Sequence, residues 1–90
     1  MISENDIAQD LVLQTLKDKL GILEEMLDIG YWDQPLTGKH FGLAAAQLLY
    51  LFLELEKSMG TRIGIEHLHD YGFYSIDKII GIVRQTIVAK

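Results

Sequence analysis

Leucines at positions 13, 16, 20, 23 and 27 recur at the three- and four-residue steps of one helix face, behind Ser3 and Asp6, which resemble an N-cap and its reciprocal partner. The pattern predicts a first amphipathic helix. Gly21 interrupts it, so the helix either ends near Leu20 or absorbs a cost of about 1 kcal/mol and runs to Asp28, with the balance slightly toward the longer form. From Gly30 to Gly42 the periodicity is lost, and Gly30, Pro35 and Gly38 mark a long loop. Tyr31, Trp32, Leu36 and Phe41 give that loop enough apolar surface to pack on a helical bundle, which makes it structured.

Leu43 to Met59 contains neither Gly nor Pro, is rich in Ala and Leu, and stops at Gly60, a residue suited to a left-handed C-cap. It is the clearest helix in the chain. Gly60 to Gly64 reads as a turn and Ile65 to Asp70 as a short helix before Tyr71 and Gly72. Ser75 then caps a last helix with the apolar stripe Ile76, Ile79, Ile80, Val83 and Ile87, Asp77 in its first turn and Lys90 at its end. Its many β-branched residues raise the alternative of a strand, but the period and length favour a helix. The expected fold is an all-α four-helix bundle of three longer helices and one short one, with a long structured loop after the first.

Composition changes this picture little: 49% of the 90 residues are apolar and 23% charged, ordinary values for one globular domain spanning 1–90. The absence of cysteine excludes disulfide scaffolds, thiolate zinc sites and cysteine nucleophiles. The start of the chain lacks the basic-then-apolar order of a signal peptide, so a cytoplasmic location is expected. Charge is more informative. Residues 1–34 hold eight acidic groups against Lys17 and Lys19, a sum of −6, whereas residues 35–90 sum to +1. An acidic face repels phosphate backbones and attracts basic protein surfaces, so a protein partner is expected and nucleic acid is not.

The stretch Gly42-Leu43-Ala44-Ala45-Ala46, then Gln47 to Leu53, then Leu55-Glu56-Lys57-Ser58-Met59-Gly60, followed by Ile63, Ile65, Phe73, Ser75 and Ile76, resembles the acyl carrier protein family over roughly Leu36 to Ile87. In that family Gly-Leu-Asp-Ser-Leu opens the second helix and its serine carries phosphopantetheine. The resemblance puts Ala45 at the serine position without a gap and Ala44 at that of the aspartate that meets the transferase. Ala45 has no hydroxyl to attack a phosphoanhydride, so no cofactor is expected. The acidic exposed stripe of such carriers is also missing: Gln47, Tyr50, Glu54 and Lys57 occupy the expected exposed line. Ser3, Ser58 and Ser75 fall at expected helix caps or ends and match no carrier motif. The Phe-Gly-Leu, Leu-Tyr-Leu-Phe and Leu-Glu-Leu-Glu-Lys segments around the site further resemble acyl-carrier-related proteins found beside bacterial peptide-maturation systems.

Other chemistry finds less footing. His67 and His69, with Glu66 and Asp70 beside them, suggest a metal by composition, but residues two apart on a helix point about 200° apart, so no metal site is expected. His40 has no serine or cysteine in a predictable relation to it, and Gly38-Lys39 lacks the spacing of a phosphate loop. No enzyme is expected on this basis. Phe41 to Leu53 is apolar apart from Gln47, yet these thirteen residues fall short of the about twenty a membrane span needs. Such a helix must be buried on more than one side, as the bundle's central helix or through contact with a partner or a second copy, which leaves a homo-oligomer possible. Gln47, Leu49, Tyr50, Leu53 and the loop's Trp32 are the candidate partner contacts. The expected function is an acyl-carrier-like binding or scaffold module that has lost its arm; the alternative is a true acyl or peptidyl carrier whose serine is missing from this copy, by nature or by engineering.

Overall fold

The computed structural model describes residues 4–64 and 74–89, with side chains for 7–64 and 74–87. Among the described residues the chain forms three α-helices, α1 (Glu4–Leu20), α2 (Ala45–Met59) and α3 (Ile76–Ala89), and two short 3-10 turns, Glu24–Leu27 and Ile29–Tyr31. The described chain is all-helical, as the periodicity predicts. The expected Ser3 cap, the short helix over Ile65 to Asp70 and the final lysine lie outside the described residues.

The first helix takes the shorter of its two expected forms. Gly21 adopts a left-handed φ of 68°, and the Ile22 N–H donates to the Leu16 carbonyl at 3.1 Å, so the chain folds back across the last turn of α1. Glycine enters this conformation at little cost, and the reversal buries Ile22 and Leu27 while Leu23 stays 58% exposed. A continuous helix to Asp28 is thereby excluded. The buried face of α1 also departs from the leucine series: Ala8, Val12, Thr15 and Leu16 are buried, whereas Leu13 and Leu20 are only partly covered. The Thr15 hydroxyl meets the cost of burial by donating to the Leu11 carbonyl at 2.7 Å.

Helix α1 packs against both α2 and α3 and therefore occupies the position that composition suggests for α2. In α2, Leu51, Phe52 and Leu55 are buried and Leu48 and Met59 lean on the core, a single stripe at helical spacing. Gly60 ends α2 with φ 66° and ψ 23°, its N–H donating to the Glu56 carbonyl at 3.0 Å. Helix α3 buries the expected Ile76, Ile79, Ile80 and Val83, with Ile82 beside them and Ile87 packed against the edge. Ser75 precedes it: its carbonyl accepts the Ile79 N–H at 3.1 Å and its buried hydroxyl donates to Asp77 Oδ1 at 2.6 Å.

The α1–α2 connection is bound to the start of α3. Leu36 N–H donates to the Tyr74 carbonyl (2.8 Å), Leu43 N–H to the Leu36 carbonyl (2.9 Å), and Asp77 N–H to the Trp32 carbonyl (3.1 Å), which satisfies one donor that the first turn of α3 would otherwise leave open. Leu36 and Phe41 are buried anchors, as expected of a structured loop. Tyr31 is not: it is 41% exposed and stacks on His40, ring centroids 3.8 Å apart.

Candidate functional site

The residues of interest are set out by α2. Ala44 is its N-cap, with extended backbone (φ −84°, ψ 162°), and Ala45 is its first helical residue. Ala44 N–H donates to Gln47 Oε1 at 2.8 Å, while the Gln47 and Leu48 N–H groups turn to the Ala44 carbonyl at 2.9 and 3.2 Å. This is half of a reciprocal cap, because a methyl side chain at Ala44 offers no acceptor in return. Ala44, Ala45, Ala46 and Gln47 are all exposed.

One turn further on, Leu49, Tyr50 and Leu53 are 46%, 43% and 50% exposed. Residues three and four apart share a helix side, so Ala46, Leu49, Tyr50, Leu53 and Lys57 form one outward line. No charged residue occurs from Ala44 to Leu53. The expected outward line of Gln47, Tyr50, Glu54 and Lys57 needs one correction: the Glu54 side chain is only 14% exposed and faces Lys19 of α1 at 3.6 Å. Glu56 is likewise occupied, its carboxylate accepting the Ile63 N–H at 2.8 Å just past the helix end.

Trp32 sits in the α1–α2 connection, partly buried against the core, with its indole N–H donating to the Leu27 carbonyl at 2.7 Å. His40 Nε2 meets the Met26 carbonyl at 3.0 Å, and the ring is held between Tyr31 and, edge-on at 4.5 Å, Phe41. These contacts brace the loop. A shallow depression at the start of α3 is lined by Asp33, Tyr74, Ser75, Asp77 and Lys78. His67, His69, Glu66 and Asp70 lie outside the described residues, and among the described residues no three His, Cys, Asp or Glu are grouped to hold a metal ion.

Pattern reading along the chain misses a second set of outward apolar side chains, Leu23, Ile29 and Tyr31, 58%, 71% and 41% exposed. The signal that could have found them is Gly21, since a helix stop there takes the next leucine off the core stripe. The molecule so defined is a small helical protein in which, among the described residues, no helix is long and apolar enough to cross a membrane. No protein-family model matches the chain, and neither a curated protein nor a solved structure matches it.

Proposed function

We propose that this chain is an acyl-carrier-like binding or scaffold module of a biosynthetic or peptide-modification pathway, one that carries no phosphopantetheine. The observation that supports this reading is the character of α2, which opens on exposed alanines and then turns Leu49, Tyr50 and Leu53 to solvent along an uncharged face. Such a face suits contact with an apolar surface of a partner enzyme, a contact that salt weakens little. The residues at the start of α2 do not fit a prosthetic arm. Ala44 and Ala45 lack the oxygen nucleophile that attachment requires, and the Ser75 hydroxyl is buried and donated to Asp77.

Incubation with coenzyme A and a broad-specificity phosphopantetheinyl transferase, followed by intact mass, tests the reading. The unsubstituted chain should gain no mass, Ala45→Ser should be modified slowly, and Ala44→Asp/Ala45→Ser faster, because the second change supplies the carboxylate that acyl carrier proteins present to the transferase. If both variants fold by circular dichroism and neither is modified, the carrier-like layout is wrong. Rapid modification of the single variant would favour a working carrier that lacks only its serine.

A further inference from the structure

We infer that the α1–α2 connection is a second docking surface, distinct from α2, and that it takes a basic amphipathic segment of a protein partner. Within the nine residues from Leu23 to Tyr31, three large apolar side chains point outward, with Ile29 at 71% exposed the most open of them. They are not loose. Met26 N–H donates to the Leu23 carbonyl (3.0 Å), Tyr31 N–H to that of Asp28 (2.9 Å) and Trp32 N–H to that of Ile29 (3.2 Å), while Ile22 and Leu27 root the segment in the core. Tyr31 is further held flat against His40. A backbone pre-set in this way loses little conformational freedom when its side chains are covered, which favours binding.

Charge specifies what covers them. Glu24, Glu25, Asp28 and Asp33 are exposed among these side chains, and no Lys or Arg occurs from Leu20 to Gly38. Lys17 approaches the exposed Glu24 carboxylate at 3.8 Å, a long contact that offsets little of that charge. A purely apolar partner would strip water from these carboxylates without compensation, and anionic lipid or nucleic acid would be repelled. A polypeptide with lysine or arginine interleaved among apolar residues meets both demands. Its apolar side chains cover Leu23 and Ile29, its cations face the carboxylates, and one cation can lie on the exposed part of the Tyr31 ring.

The test is titration of the 15N-labelled chain with three synthetic peptides: an amphipathic leucine–lysine helix, the same helix with glutamate for lysine, and a lysine–serine peptide of equal charge. The leucine–lysine peptide should bind, shift amides between residues 22 and 34, and weaken at high salt. Ile29→Ser or Leu23→Ser should weaken it about tenfold, and Glu25→Gln/Asp28→Asn should weaken it and flatten its salt dependence. Leu49→Ser/Leu53→Ser should leave it unchanged, so this surface stands or falls independently of the α2 reading. Both apolar targets are exposed, and a dispersed amide spectrum confirms that each variant is folded. Equal binding of the lysine–serine peptide, shifts centred on residues 45–53, or full affinity in both serine variants would overturn the assignment.

Discussion

Gly60 and Gly81 show how one residue type acts oppositely in two places. A Cβ at either would find nothing within 4 Å, so packing does not distinguish them. Backbone conformation does. Gly60 sits at φ 66°, where an L side chain is strained, and Gly60→Ala should destabilise the protein by about 1 kcal/mol. Gly81 lies inside α3, where glycine only adds freedom to the unfolded chain, and Gly81→Ala should stabilise by about 0.5–1 kcal/mol. Urea unfolding of the two variants checks the pair of signs, and a shift in the same direction for both would refute the helix-end argument. The role of Gly60 is legible in the sequence, because a helix-forming run stops at it. The position of Tyr31 is not: an aromatic in a loop is equally suited to a core or to a surface, and the stack on His40 depends on how the connection folds back.

At the scale of elements, the start of α2 is incompletely capped. Gln47 reaches back to the Ala44 N–H, but nothing on Ala44 reaches forward. Ala44→Ser would complete the reciprocal pair and should raise stability by about 1 kcal/mol, whereas Gln47→Ala should lower it by about 0.5–1 kcal/mol, both read from urea midpoints. An unchanged midpoint for Ala44→Ser would mean that the extended backbone at residue 44 does not aim the hydroxyl at the helix. The end of α1 illustrates a limit of periodicity. Leu23 and Leu27 continue the spacing of the preceding leucines, so the pattern alone leaves the helix free to run on. The turn at Gly21 breaks that continuity because it lets Ile22 and Leu27 reach the core from a different backbone path.

Across the whole molecule, the three described helices make an asymmetric arrangement in which α1 serves two partners and α2 keeps one side uncovered. The consequence is a contrast between neighbouring leucines. Leu51→Ala removes a side chain that is 0% exposed and should cost about 2–5 kcal/mol. Leu49→Ser and Leu53→Ser, near half exposed, should each cost less, about 1 kcal/mol. Denaturant unfolding of the three variants measures this. Large losses for Leu49→Ser and Leu53→Ser would show that α2 is enclosed and would remove the surface on which its proposed docking role rests. The Lys19–Glu54 pair ties α1 to α2 from the solvent side, but with Lys19 half exposed its contribution is small.

By itself the sequence determined the all-helical class, the course of α2 and α3, the stop at Gly60, the isoleucine stripe of α3 and the acidity of the first third of the chain. Each of these follows from chemistry carried by neighbouring residues: period, capping, conformational freedom and charge. The packing of the elements added that α1 is the shared helix, that Ala8 and Val12 carry its buried face, that Glu54 turns to Lys19, and that Leu23, Ile29 and Tyr31 face outward. A leucine has the same affinity for any apolar surface within reach. Which leucines are covered is therefore a property of how pairs of elements meet, and that is set by the turns at Gly21 and Gly60 and by the hydrogen bonds that fasten the long connection to α3.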